Sequence, residues 1–200
     1  MPLNSYIRVL HASPDAPPVD VYANDMLIAQ NLAFNDYTNY LSVPPGNYIV
    51  EVFPTGEKVT PVVYSNLTIP TGSAFTIAAI GNLENIGLYP IPEEYTPPQN
   101  GKYSYVRFVH LSPNAPPVDI ALPNGTQLFE DVEYEEYTNY MRVNPATYTF
   151  EVKPTGSNDI VLSVPDVTLE AGKIYTAYAT GLVDGEPPLG ALLTIDNQYK

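Results

Sequence analysis

The chain has 200 residues, 44% of them hydrophobic, with 17 Tyr and 6 Phe but no Trp, a supply that fills two cores of about a hundred residues each. Its formal net charge of −14 is shared evenly, since residues 1–99 carry nine acids against two basic side chains and residues 100–200 carry thirteen against six. Such a surface repels phosphate backbones and anionic lipid, which argues against nucleic acid and membranes and leaves cations and basic partners; the absence of Cys removes disulfides, thiolate catalysis and Cys-ligated zinc or iron.

The first segment, MPLNSYIRVLHASP, has no basic n-region and no apolar h-region, and no later stretch approaches membrane-spanning length. No signal peptide and no membrane insertion are therefore expected. From there, short runs alternate apolar and polar residues between Pro, Gly, Asn and Asp, the pattern of half-buried strands. Strands are predicted at 6–10, 19–23, 27–29, 38–43, 48–53, 62–69, 74–81 and 87–91. A polar, proline-rich stretch over 92–103 reads as a short stiff linker. The series then recurs at 105–109, 118–122, 127–129, 138–143, 147–152, 161–169, 174–181 and 191–195. Pro-Pro-Gly at 44–46, Asn-Pro-Ala at 144–146 and Pro-Thr-Gly at 54–56 and 154–156 read as hairpin turns. No window of helical length keeps a 3.6 period free of Pro and Gly, so helix content should be very low.

The recurrence is a true repeat. HASPDAPPVD at 11–20 returns as HLSPNAPPVD at 110–119, DYTNYLSV at 36–43 as EYTNYMRV at 136–143, and EVFPTG at 51–56 as EVKPTG at 151–156. Gly72 and Gly81 answer Gly172 and Gly181. The offset changes only from 99 to 100, where AND in the first copy faces LPNG in the second, so the extra residue belongs in a turn. The expected organisation is a first repeat over 1–91, a linker over 92–103 and a second repeat over 104–200. The fold class is all-β, two tandem antiparallel β-sandwich domains.

The tandem H-x-S-P-[D/N]-A-P-P-V-D motif, followed by Y-T-N-Y, E-V-x-P-T-G and a Gly-closed strand, resembles the bacterial family known as domain of unknown function 4397. The resemblance covers nearly the whole chain. It implies an immunoglobulin-like or transthyretin-like β-sandwich, often found in tandem in proteins of bacterial and archaeal surfaces, with no established activity. A cell-surface or extracellular location is what that resemblance implies.

Period two places Ile7, Val9, Val19 and Val21 on the core side and Arg8 and Asp20 outside, as it does Arg107 and Asp119. The expectation is a cross-strand ion pair, Arg8 with Asp20 and Arg107 with Asp119. His11 and His110 fall on the inward parity beneath the proline loop. With Ser13 and Asp20, or Ser112 and Asp119, they form a candidate ligand site or general-base arrangement. The favoured reading is a buried His bonded to loop carbonyls, because Ser13 precedes Pro14 in a tight turn and no nucleophile elbow appears. Glu130, Asp131, Glu133, Glu135 and Glu136 form an acidic run only in the second copy, a candidate cation site with calcium the ion to test; otherwise no cofactor is expected. Tyr37 and Tyr40, with Tyr137 and Tyr140, are a candidate aromatic surface for a sugar or a protein, alternation placing the two of each pair on opposite faces.

The function that follows is non-catalytic: a surface-associated, adhesive or self-assembling component whose partners are proteins or further copies of itself. A small-ligand or carbohydrate-binding module is the alternative, and a hydrolase using the H-x-S-P loops ranks last.

Overall fold

A computed structural model describes residues 4–93 and 101–199. The chain divides into two compact units, Met1–Glu94 together with Asn197–Lys200, and Tyr95–Asp196. The linker expected over 92–103 therefore shrinks at its start, because Pro92 ends a strand and the Glu93 side chain is buried in the first unit. Most of the remaining linker, 94–100, lies outside the described residues. The last residues join the first unit through Tyr199, whose ring stacks on Tyr6 at 4.2 Å and meets Tyr40 edge-on.

In the first unit the strands are β1 (Ser5–His11), β2 (Val19–Ala23), β3 (Met26–Leu32), β4 (Leu41–Val43), β5 (Gly46–Pro54), β6 (Val63–Ile69), β7 (Ala74–Ile80) and β8 (Gly87–Pro92). They form two sheets, ordered β4-β1-β7-β8 and β3-β2-β5-β6. Val9 of the first sheet joins Val19, Val21, Val50, Val52 and Val63 of the second in one buried cluster, which is the sandwich core. Alternation dictates this, since the apolar members of each strand share one parity.

The second unit repeats the plan with β9 (Ser104–His110), β10 (Val118–Ala121), β11 (Gln127–Val132), β12 (Glu136–Tyr137), β13 (Met141–Val143), β14 (Ala146–Pro154), β15 (Leu162–Leu169), β16 (Ile174–Thr180) and β17 (Gly190–Ile195). Its sheets run β12-β9-β16-β17, with β13 also on β9, and β11-β10-β14-β15. Among the described residues the only helical element is the 3-10 turn Leu83–Asn85, and no helix is long and apolar enough to cross a membrane.

Three details differ from the alternation reading. Among the described residues all pairings between named strands are antiparallel except β1 with β7 and β9 with β16, which run parallel because the chain between them passes through the opposite sheet. Pro44-Pro45-Gly46 and its counterpart are not hairpin turns: β4 pairs with β1 while β5 pairs with β2 and β6, so the segment is a corner that switches sheets. The strand expected over 38–43 shortens to β4, because Tyr37 makes a lone bridge to Leu10 and Thr38 turns its hydroxyl to the Val9 N–H at 3.0 Å.

Gly81 and Gly181 close β7 and β16 at φ +84° and +83°. A Cβ there would stand 2.7 Å from the Asn85 carbonyl oxygen or 2.1 Å from that of Pro188, so both positions require glycine.

Candidate functional site

Each copy of the repeated motif builds two separate structures, one on each sheet. The first centres on the histidine. β1 ends on its inward parity at His11, and the loop from Ser13 to Pro18 folds over it, leaving the ring fully buried. The His11 Nε2 lies 3.1 Å from the Pro17 carbonyl, and Nδ1 accepts the Ser13 N–H at 3.3 Å. His110 makes the same two contacts with Pro116 and Ser112, at 3.1 and 3.3 Å. Only the tautomer protonated on Nε2 satisfies both contacts. Burial, opposed by the Pro17 carbonyl and by Asp36, holds His11 below the usual imidazole value; burial does the same to His110.

A neutral imidazole with both nitrogens occupied and no exposed edge is a strut for the loop. Neither serine hydroxyl is bonded to its histidine: Ser112 donates its hydroxyl to the Gly181 carbonyl at 2.7 Å, and the buried Ser13 Oγ meets no partner among the described residues. The motif's fifth residue is tied down as well, Asp15 accepting the Leu83 N–H at 2.8 Å and Asn114 bonding both backbone groups of Val183.

The second structure centres on Asp20, which closes the motif. Its carboxylate accepts the N–H groups of Asn31 at 2.8 Å and Gly56 at 3.0 Å, and the Thr55 hydroxyl at 3.3 Å. Asn31 stands at φ +50°, where β3 loses register with β2, so the carboxylate holds a bulge on one side and the Pro-Thr-Gly turn on the other. Burial raises the Asp20 pKa, but the three donors outweigh it and hold the group below the usual carboxylate value. Asp119 does the same work, accepting from the Asp131 N–H at 2.8 Å and the Thr155 hydroxyl at 2.9 Å.

The expected ion pairs are therefore corrected. Arg8 on β1 and Asp20 on β2 belong to different sheets, and so do Arg107 and Asp119. Arg8 instead reaches Glu93, just past β8, at 3.2 Å, with both side chains buried. Its Nε donates to Thr76 Oγ1 at 2.7 Å, and Thr76 donates to Glu93 at 2.6 Å. The Tyr40 hydroxyl also donates to Glu93, and the rings of Tyr40 and Tyr37 lie 5.0 and 5.7 Å from the guanidinium carbon. In the second unit Arg107 donates to Thr176 at 2.8 Å, Thr176 and Tyr140 both donate to Asp196, and the Tyr140 ring lies 4.6 Å from Arg107. Burial, reinforced by the charge of Asp196, pushes the Tyr140 hydroxyl well above the usual phenol value, so it stays a donor.

Glu93, Asp196, Thr76 and Thr176 are the partners that the sequence reading missed. The signal was present: aligned on Gly87 and Gly190, both copies place an acid at the same step after the last strand.

The tyrosines also depart from alternation. Tyr37 and Tyr40 flank one arginine rather than opposing each other, because no continuous strand runs through 38–40. Tyr37 and Tyr137 keep 44% and 41% of their surface, whereas Tyr40 and Tyr140 are folded over the guanidinium.

The acidic run lies exposed around the turn after β11. Glu136 accepts the Glu133 N–H at 2.9 Å, and the Glu135 N–H reaches the His110 carbonyl at 3.0 Å. In the first copy Asp36 and Asn35 make the same turn without the other acids. Among the described residues no group of three or more His, Cys, Asp or Glu is gathered to hold a metal ion.

Two solved structures resemble parts of this arrangement. The C-terminal domain of AlgF from P. aeruginosa matches with 20% identity and a TM-score of 0.37, over 47% of this chain and 98% of that one. The Bacillus anthracis TIE protein matches with 9% identity and a TM-score of 0.28, over 90% of this chain and 34% of that one. No curated protein matches the chain. The repeated motif, the two like units built on it and a family match over residues 5–121 and 104–200 agree: the chain belongs to the family described as domain of unknown function (DUF4397).

Proposed function

We propose that this chain is a non-catalytic tandem β-sandwich protein that works as a surface-associated, adhesive or self-assembling component. One observation carries the reading. Of the residues of the repeated motif that could do chemistry, His11, Ser13, His110 and Ser112 are fully buried, and the histidines, Asp20 and Asp119 all bond backbone groups of their own unit. A general base must come within hydrogen-bond reach of a substrate proton, and a fully buried imidazole bonded at both nitrogens does not.

The test is fractionation and surface labelling of producing cells, with adhesion of the purified full-length chain to matched surfaces, beside a hydrolase screen on esters, amides and glycosides. Surface association without turnover is expected. Turnover lost in both Ser13→Ala and Ser112→Ala, with melting unchanged, would overturn the non-catalytic reading. A protein found only in the soluble interior, and binding nothing, would overturn the surface role.

A second reading, carbohydrate binding, is favoured by the half-exposed rings of Tyr37 and Tyr137 beside buried arginines. Glycan-array signal that disappears in the Tyr37→Ala, Tyr137→Ala double variant would establish it.

A further inference from the structure

We propose that the β6 edge of the first unit is the seam at which a second copy of this chain docks, by antiparallel pairing of β6 with β6 about a twofold axis. The proposal rests on the self-assembling reading above and names its surface. A strand at the end of a sheet presents unpaired N–H and C=O groups, and proteins that stay monomeric blunt such edges with prolines, bulges, charges or shortness.

In the first unit the edges are β3, β4, β6 and β8. β3 is interrupted by register shifts against β2, with Asn31 at positive φ; β4 has three residues; β8 carries Pro90 and Pro92, which lack an N–H. β6 has none of these devices. Its seven residues, VYSNLTI, include no proline and no charge, none stands at positive φ, and its register with β5 is unbroken from Val52↔Val63 to Gly46↔Ile69.

The counterpart strand shows the contrast. β15 contains Pro165 and Asp166, the latter at φ +58°, and loses register with β14. Of the other edges in the second unit, β11 carries two acids, Glu130 and Asp131, and loses register with β10, while β12 and β13 have two and three residues. β17 is free of proline but one residue shorter than β6, and opens on Gly190, which offers no side chain to pack.

The strand that fits this edge is β6 of a second copy, because β6 complements itself. An antiparallel pair centred on Asn66 sets Asn66 against the second copy's Asn66 and Tyr64 against its Thr68 on the exposed face. On the core face it sets Val63 against Ile69 and Ser65 against Leu67. Every opposed pair then keeps its parity, so two four-stranded sheets join into one without turning an apolar residue outward. Tyr64 stands 60% exposed at this edge, and Thr68 is already held by its bond to Asn47 at 2.8 Å. Two chains of net charge −14 repel, while the seam itself carries no charge, so screening by salt strengthens the pair.

The experiment uses the full-length chain, in which a single introduced thiol is unique because there is no native Cys. Sedimentation over a concentration series, at low and high salt, is expected to show a dimer that salt favours. Asn66→Lys brings two ammonium groups face to face and is expected to weaken dimerisation about tenfold or more with melting unchanged, while Asn66→Thr restores it. Oxidised Asn66→Cys is expected to cross-link, and Thr168→Cys on β15 to stay monomeric. Dimers indifferent to Asn66→Lys, or cross-linking no greater at 66 than at 168, would overturn this seam and leave self-assembly to another surface. A chain monomeric at every concentration would overturn the seam and the self-assembly reading together, while surface association stands or falls by cell fractionation.

Discussion

The buried Arg8–Glu93 pair allows a sharp test of how this fold is held together. Replacing Arg8 with Met keeps an unbranched apolar stem and removes the guanidinium with its charge, leaving Glu93 as a buried carboxylate that retains only the Thr76 and Tyr40 hydroxyls among the partners described above. Breaking a buried ion pair by removing one member costs about 3–5 kcal/mol, against a total domain stability of about 5–15 kcal/mol. Arg8→Met should therefore unfold at clearly lower urea yet still fold, and Glu93→Gln should lose somewhat less because its amide still accepts from a hydroxyl. The double variant is the informative one. Arg8 and Glu93 touch at 3.2 Å, so their combined loss should fall short of the sum by about 1–3 kcal/mol. Arg8 and Asp20 lie in different sheets and share no partner named above, so Arg8→Met with Asp20→Asn should be additive within about 0.5 kcal/mol. Unfolding of the full-length chain, followed by tyrosine emission and far-ultraviolet dichroism, reads both cycles. A coupling to Asp20 equal to or larger than the coupling to Glu93 would refute the reasoning and restore the cross-strand pair expected from alternation.

Three further outcomes follow from the same geometry. Asp20→Ala removes one acceptor from two backbone N–H groups and a hydroxyl and should cost about 2–4 kcal/mol, with proteolysis appearing first near Gly56; Asp20→Asn should cost less. Because burial holds His11 and His110 below the ordinary value of 6.5, the unfolded chain binds more protons there, so stability is full above that pH and declines as pH falls below it. Asp20, held below 3.8, adds a second decline at lower pH as its own folded value is crossed; midpoints measured from about pH 8 to about pH 3 should show both limbs, and His11→Gln with His110→Gln should remove the first alone. Finally, a cavity of about 70 Å³ lies among Phe129, Phe150, Val152 and Leu162 of the second unit, against about 20 Å³ in the first. Val152→Ile should gain up to about 1 kcal/mol by filling it, whereas Val52→Ile, at a packed site away from the smaller cavity, should lose about 1–3 kcal/mol; thermal melts distinguish the two signs.

What was legible in the sequence and what was not divides along one physical line. Period two reports which face of a strand a residue occupies, and on that count the reading of β1 and β2 was sound: Val9, Val19 and Val21 are in the core. Period two does not report which strand lies alongside. Arg8 and Asp20 are separated by a tight proline loop that looks like a hairpin connection, yet Pro17 and Pro18 carry the chain across to the other sheet, and the partner of Arg8 arrives 85 residues later as Glu93. Proline misled at that end as well, since Pro90 and Pro92 draw the boundary of the first repeat too early and leave Glu93 in the linker. Tyr37 and Tyr40 were misread for a related reason: alternation holds only where a strand is continuous, and Thr38 interrupts the pattern by bonding to Val9.

The same division explains why the strongest sequence signal is silent about function. His11 and Asp20 satisfy backbone groups that any protein with this loop, this bulge and this Pro-Thr-Gly turn must satisfy, so their recurrence at His110 and Asp119 is as expected of a shared fold as of a shared site. Differences between the copies carry the information that likeness cannot. Across one sheet of the first unit, Leu27, Tyr22, Glu51 and Tyr64 stand in register on β3, β2, β5 and β6; the corresponding row of the second unit is Gln127, Ala121, Glu151 and Ser163. Lys58 lies 4.0 Å over the Tyr22 ring in the first row, while Lys153 pairs with Glu151 at 3.0 Å beside the second. One unit thus shows an aromatic face ending in an unblunted edge, and the other a small, polar face ending in Pro165 and a bulge. On the proposed β6 seam, two units with a common frame and unlike edges would join copies through one and end the assembly at the other, which favours closed pairs over open fibres.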